Sequence, residues 1–590
     1  MRGGNLHMRP PRNRWPNTSD SLGILMFAQL MSEMLNADTF ESFRVHSLCS
    51  MARIHEAQIV LRDVQKNRIT DKVLPPVLSE VAWSLDQDPV AKRAAENEIA
   101  IFQKTIDSKY ELSELSAHLV LLSRLIGNRY KADLQKLILE TFSQSGQRIQ
   151  FRKAVGFYCS HLLNIGYTKP FIASFVQQTF FSGDVKRSGR KTLESFFRNF
   201  SGKKHKFIIY AAVTKEFGTF LRQLGFSVSS SANTTTAIAT ATNPANDPDL
   251  FFTVMVKNTA LDDYGAMIKV SDVLARVRAI TYLAAQGMPC HWSTKMYVKK
   301  ARSNNGTIHE RLEVSFDKPT PARSSARQHK GVLGYSRRIF KHFDPPSTQR
   351  LLASISTSAL ARTTSNIENQ LISLWSSVEV LLSEPRLGTP RILHYQKLLV
   401  PCICLRHVRR QVAAVCDELL ISYRRKFKEI ISKDTTIDTA DFHVKFAVVM
   451  FVSQNQHLRK ELLSLCTNNP LALHRLFKLN SDFKSTKAAL KSISTHEKRV
   501  EWQVHRIYRA RNNIVHAGIM PSYLDLLLMN LSEYYRNSIG TLVNYARKQE
   551  IRADIDQLVG EIGIGYEIFK KAFQVSDRSL TKDDVNRLMV

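Results

Sequence analysis

The string Trp502–Gly518, WQVHRIYRARNNIVHAG, holds the side chains best suited to chemistry: Arg511, Asn512 and His516. An imidazole with an ordinary pKa near 6.5 exchanges protons around neutral pH and can serve as general acid or base. A guanidinium steadies developing negative charge on oxygen through paired hydrogen bonds. On a helix of about 100° per residue, Asn512 and His516 lie about 40° apart and share a face. His516 points opposite Ile507, off the apolar stripe. Arg511 lies within about 60° of Ile507, Ile514 and Val515, where a guanidinium is costly unless it is paired. Glu379 meets the same problem among Ile372, Trp375 and Leu382. Two opposite charges on apolar faces predict a buried Glu379–Arg511 pair. The string also fits a plain helix C-terminus, with His516 near the last carbonyls and Gly518 as the C′ cap.

The element that positions these residues is an amphipathic helix ending in His-Ala-Gly. With Arg511-Asn512-Asn513-Ile514-Val515-His516 it resembles the R-x4-H signature of HEPN-domain proteins, in which Asn often follows the Arg. Upstream, Asn366–Ser383 (NIENQLISLWSSVEVLLS), with Trp375 and Glu379, is similar to the early helix of the Apea-like HEPN group. The likeness covers roughly 360–550, about a third of the chain. It implies a C-terminal helical bundle and metal-independent RNA cleavage, in which a 2′-hydroxyl attacks the adjacent phosphate. Arg511, Asn512 and His516 would be catalytic: His516 moves the proton, Arg511 steadies the phosphorane-like oxygens, and Asn512 orients the phosphate or the imidazole. Glu379 would support Arg511. The resemblance further implies a homodimer, two copies of the helix facing one cleft, and no cofactor or metal. The expected function is an endoribonuclease of the toxin or anti-phage defence type, restrained until triggered. The alternative is a non-catalytic RNA-binding or adaptor protein whose HEPN domain dimerises.

The rest of the chain reads as mostly α and multidomain. Residues 1–19 form a basic tail and 20–182 a helical domain opened by a cap near Ser19 or Asp20, with apolar residues at three- and four-residue spacing. Residues 183–350 read as a basic α/β domain. Its strands are expected at Lys206–Val213, Leu250–Val256, Trp292–Lys299 and Arg311–Phe316, with a helix over Tyr264–Gln286. A Ser/Thr-rich insert, 227–247, reads as a mobile loop, and Lys318–Arg350 as an aperiodic break. Residues 351–555 form the HEPN-like helical domain and 556–590 a C-terminal helical tail.

The charge has a place as well as a sign. With 83 Lys and Arg against 52 Asp and Glu in 590 residues, the net charge is +31. Such an excess points to a polyanion, most simply nucleic acid. Residues 183–206 and 318–343 supply +13 of it. Lys186, Arg187, Arg190, Lys191, Lys203, Lys204, Arg323, Arg327, Lys330, Arg337 and Arg338 are the candidate phosphate contacts. Phe196, Phe197 and Phe200, interleaved with the first cluster, read as core. Arg424–Lys426 and Lys428 could add to that surface.

Composition closes off other classes. A 44% hydrophobic content rules out a mostly disordered chain. Seven cysteines without paired CxxC spacing suit a reducing, cytoplasmic compartment. No apolar run reaches transmembrane length, so no membrane partner is expected. Cys402, Cys404, His407 and His394 lack the second pair that a structural zinc site needs. There is no Gly-rich phosphate loop, G-x-S-x-G or H-E-x-x-H.

Overall fold

A computed structural model describes residues 15–36, 39, 41–108, 110–182, 189–230, 250–284, 289–311, 325–364, 366–382 and 390–589. Among them, 23 α-helices and one five-stranded antiparallel sheet make a mostly helical protein with a small α/β part. Along the chain come α1 (Ser19–Met34), α2 (Ser50–Gln65), α3 (Leu74–Gln87), α4 (Pro89–Asp107), α5 (Leu112–Gly127), α6 (Tyr130–Thr141), α7 (Arg148–Asn164), α8 (Lys169–Val176) and α9 (Arg190–Arg198). The sheet region follows: β1 (His205–Thr214), α10 (Lys215–Gln223), β2 (Ser227–Ser230), β3 (Leu250–Ala260), α11 (Asp263–Ala284), β4 (Trp292–Lys300) and β5 (Gly306–Glu310). Helices resume with α12 (Ser325–His342), α13 (Pro345–Thr363), α14 (Ile367–Leu381), α15 (Arg391–Cys404), α16 (His407–Ser432), α17 (Phe442–Phe451) and α18 (Gln456–Leu465). The last are α19 (Pro470–Asp482), α20 (Thr486–Ala517), α21 (Leu524–Ala546), α22 (Ile555–Lys571) and α23 (Lys582–Leu588).

The chain divides into two compact units, one of Met1–His161, Gly183–Leu193 and Phe316–Val590, the other of Leu162–Ser182 and Glu194–Ser315. This division differs from the boundaries read in the sequence, because the N-terminal helices share a unit with the C-terminal ones. The cause is a set of buried polar links that periodicity does not reveal. Gln29 on α1 donates to Asn469 at 3.0 Å and accepts from the Leu471 amide at 3.3 Å, and Glu33 pairs with Arg475. Arg506 on α20 reaches Glu56 on α2 and Glu80 on α3. Residues 556–589 are likewise integral: Tyr566, Phe573, Val585 and Leu588 are buried, and Arg409 donates to the Met589 carbonyl at 2.6 Å.

Local sequence accounts for many helix ends. Thr18, just before the residues expected to cap α1, accepts from the Ser21 amide at 3.3 Å. Helices α5 and α6 are parted at 128–129. The aperiodic break expected over Lys318–Arg350 instead holds α12 and the start of α13. Ile339 and Phe343 are buried in α12 and just after it, while Arg337, Arg338 and Lys341 are exposed, so a narrow apolar stripe sufficed. Asp344 caps α13 by accepting from the Ser347 amide at 2.8 Å, directly before two prolines.

In the second unit the sheet order is β2-β3-β1-β4-β5, every pair antiparallel. The succession β1-α10-β2-β3-α11-β4 is a split β-α-β arrangement, with β5 added at one edge. Phe207, Ile209, Ala211 and Val213 on β1 alternate toward α10 and α11, where Phe217, Leu221, Val270 and Leu274 complete the core. Asp262, which opens α11, accepts from the Gly265 amide at 2.6 Å and from the Thr168 amide at 2.7 Å, as a helix-initiating carboxylate should. Two sequence expectations shift here. The last strand is Gly306–Glu310 rather than Arg311–Phe316, of which 312–316 lie outside the described residues. The first residues of the 227–247 insert, Ser227–Ser230, form the edge strand β2, because they pair with Met255–Phe252; 231–247 lie outside the described residues.

Candidate functional site

Helix α20 carries the motif and decides where each of its side chains stands. Ser485 starts it by accepting from the Ala488 amide at 3.3 Å. Through its middle it is buried on several faces, at Val500, Trp502, Val504, Arg506, Ile507 and Ala510. Beyond Ala510 it leaves the core: Arg511 and Asn512 are half-buried, and Asn513, Val515 and His516 are exposed. Gly518 ends it at φ +63°, with its amide bonded to the Ile514 carbonyl at 3.1 Å and the Ile519 amide bonded to Asn513 at 3.1 Å. These two bonds satisfy carbonyls that the last turn leaves open, and the left-handed φ is the reason glycine stands there.

Helix α14 faces this end. Asn366 caps it at 3.0 Å through the Asn369 amide. Its Glu379 lies 3.5 Å from Arg511, Oε2 to Nη2, with the two side chains 24% and 23% exposed. The expected pair therefore forms, three-quarters buried. Glu379 also accepts the Trp375 indole N–H at 2.9 Å through its other oxygen, which aims the carboxylate. Arg511 Nη1 donates to Asn512 Oδ1 at 3.1 Å, and its Nε is buried with no hydrogen-bond partner among the described residues. Trp375 is wholly buried against the rings of Tyr395 and Tyr508, at centroid distances of 5.5 and 5.6 Å. Burial, then the charge on Glu379, pushes the Tyr395 phenol up.

Glu379, Arg511 and Asn512 thus form one constellation. His516 does not join it: it is five residues beyond Arg511, about 140° around the helix. Among the described residues it makes no side-chain hydrogen bond or ion pair. It stands exposed in the last turn, flanked by the exposed apolar side chains of Val515, Ile519 and Met520. One chain therefore presents a braced guanidinium and a separate, unengaged imidazole.

Of the candidate phosphate contacts, Arg190 and Lys191 are exposed at the start of α9, Lys203 and Lys204 before β1, and Arg337 and Arg338 on α12. Lys186, Arg187 and Arg323 lie outside the described residues, as do the side chains of Arg327 and Lys330 within α12. Phe196, Phe197 and Phe200 are core, their rings gathered with those of Phe171, Phe175 and Phe180. Arg424, Arg425, Lys426 and Lys428 are exposed on α16, with Arg425 paired to Glu429 at 2.7 Å. Cys402 and Cys404 are buried, the former pushed up to about 12 by desolvation, and His407 stacks on His496 at 3.4 Å.

A buried ion network one turn upstream of Arg511 has no counterpart in the motif. Arg506, 1% exposed, donates to Glu56 at 2.7 and 3.1 Å and to Glu80 at 3.1 Å. Arg53 donates to Glu80 at 2.9 Å and Arg509 to Glu56 at 2.9 Å. Burial works against charge on both carboxylates, but Arg506, joined by Arg509 at Glu56 and Arg53 at Glu80, holds both below the usual range. The one sequence signal was Arg506 itself, a cation about 40° from Trp502 and from Ala510 on the helix. Its partners sit more than 400 positions away, at a distance no local pattern spans.

No protein-family model matches this chain, and neither does any curated protein or solved structure.

Proposed function

We propose that the protein is a metal-independent RNA endonuclease of the HEPN type, working as a homodimer and held inactive until triggered, as toxins and anti-phage effectors are. The observation that carries the reading is the end of α20: a guanidinium braced by Glu379 and Asn512, followed five residues later by an exposed imidazole. In this reading the scissile phosphate binds Arg511, whose fork matches phosphate oxygens. His516 takes the 2′-hydroxyl proton or gives one to the departing 5′-oxygen, and the products carry a 2′,3′-cyclic phosphate and a 5′-hydroxyl. Because Arg511 and His516 diverge around one helix, a second copy facing the first would supply the missing partner to each half. The exposed Val515, Ile519 and Met520 beside His516 give such a contact an apolar surface.

The test is incubation of purified protein with total RNA in EDTA, alongside His516→Ala and Arg511→Ala. Cleavage that survives EDTA and is lost in both variants is the expected result. One observation favours a second reading, a non-cutting RNA-binding adaptor: Glu379 already engages the Arg511 guanidinium, as in a structural pair. RNA binding that persists without cleavage in any condition, including expression toxicity that is indifferent to His516→Ala, would select it.

A further inference from the structure

The sheet of the second unit has one face against α10 and α11 and another that those helices leave uncovered. Alternation along the strands identifies the uncovered face. Residues of β1 that oppose the core set carry Tyr210 at the middle of the central strand, paired in register with Met255 on β3 and Tyr297 on β4. The Tyr210 and Tyr297 rings lie 6.1 Å apart and form a hydrophobic group of their own, separate from the helix-side core. Tyr297 is buried and lies flat across the neighbouring strand, where a Cβ on Gly306 would fall 2.6 Å from its Cζ. Tyr210 is half-buried, and Phe251, on the same face of β3, is exposed.

The charge around these rings is of one sign. Lys257 and Lys299 stand on this face on either side of β1, and Lys299 Nζ lies 6.0 Å from the Tyr210 ring centroid. Lys295 stands two residues before Tyr297 on the same face, and Glu310, its partner in register, is the single acid on it among the described residues. A ring platform on central strands, edged by lysines, is the arrangement by which sheets backed by two helices hold single-stranded RNA: bases stack on rings while cations meet phosphates. A duplex keeps its bases stacked inside and cannot use the rings.

From this the geometry points to the sheet face opposite α10 and α11 as a binding surface for single-stranded RNA, with Tyr210 as the stacking platform and Lys257 and Lys299 as phosphate contacts. The choice of RNA over DNA rests on the nuclease reading above; the surface itself does not. The full-length His516→Ala chain, with natural RNA left intact, is titrated with a fluorescent single-stranded 12-mer, and Tyr210→Ala, Tyr210→Phe and Lys257→Gln/Lys299→Gln are made in that background. Tyr210→Ala should weaken binding about tenfold or more, within the span of single-base stacking losses, whereas Tyr210→Phe should stay within about twofold because its ring remains. The lysine pair should weaken binding and lower the slope of log affinity against log salt by about 1.4, roughly 0.7 for each single-strand phosphate contact. Unchanged binding by Tyr210→Ala with an unchanged far-ultraviolet circular dichroism spectrum overturns the proposal. So does equal affinity for blunt duplex RNA. Phosphatidylserine vesicles that hold the parent chain and release Tyr210→Ala overturn it in favour of a lipid surface. Failure of the wild-type chain to cut RNA removes the nuclease reading and leaves this binding result standing.

Discussion

Arg511 is held from two sides, by Glu379 across the helix pair and by Asn512 beside it, while His516 has no side-chain hydrogen bond or ion pair among the described residues. That asymmetry separates what substitutions at these positions should do. His516→Ala should leave the thermal midpoint unchanged and lower the cleavage rate by about 100-fold or more, the usual loss for a general acid or base. Single-turnover assays on a labelled oligonucleotide would measure it. Glu379→Gln keeps an oxygen for the Trp375 indole but removes the charge facing Arg511. It should cost about 1 kcal/mol, the scale for a partly exposed charged contact, and should lower cleavage as Arg511 loses its aim. A variant unchanged in both denaturant midpoint and activity would remove the pair from the argument. The pairing was legible in the sequence because each charge sat alone on an apolar stripe, a contradiction that one contact resolves. The isolation of His516 was legible as well, from its angle to Ile507. Its distance from Arg511 across the helix bears on function only once a second copy is considered.

The end of α20 is set by Gly518 at positive φ, and no side chain stands where its Cβ would go. Gly518→Ala should therefore cost about 1 kcal/mol through backbone conformation alone, and any activity lost with it would show that the cap places His516. The middle of the same helix is set by the Arg506 network. Replacing Arg506 with Met leaves Glu56 with Arg509 alone and Glu80 with Arg53 alone, and should destabilise the first unit by about 3 kcal/mol, read as a lower denaturant midpoint. Adding Glu56→Gln and Glu80→Gln removes the two carboxylates that titrate in this network. The pH dependence has a fixed sign. Glu56, lowered from 4.5 to about 2, and Glu80, lowered in the same direction, stabilise the fold fully above pH 4.5. That stability is lost as pH falls through the interval from 4.5 toward 2, and thermal melts across it should show a steeper decline in the parent than in the triple variant. Helix identity was readable from spacing in α2, α5 and α14. Helix α12 was not, because its basic composition masked a stripe marked by Ile339 within it and Phe343 just after it. The edge strand β2 was hidden inside an uncharged Ser-rich stretch because its partner, β3, supplies the pairing.

At the scale of the molecule, the +31 charge is spread over both units, with exposed cations on α9, ahead of β1 and on α12. RNA affinity should accordingly fall steeply with salt, with log affinity against log salt steeper than about −3, several phosphate contacts at roughly 0.7 each. A slope shallower than −1 would disconnect the charge from RNA. Among the described residues no helix is long and apolar enough to cross a membrane. Composition and periodicity determined a mostly helical chain with a small α/β part, its net charge of +31 and the helix that carries an Arg-Asn-His set. These are local properties, set by neighbours within a turn or two or by a sum over the whole chain. Only the tertiary structure decided that α2 and α3 share a unit with α20, because Arg506 and its two carboxylates are a pairing made across more than 400 residues. It alone decided that Tyr210, Tyr297 and two lysines lie together on one sheet face, since strand order, not sequence order, brings β1, β3 and β4 side by side. Pairings of that kind are chosen by burial and hydrogen bonding among distant segments, and a one-dimensional pattern carries no record of them.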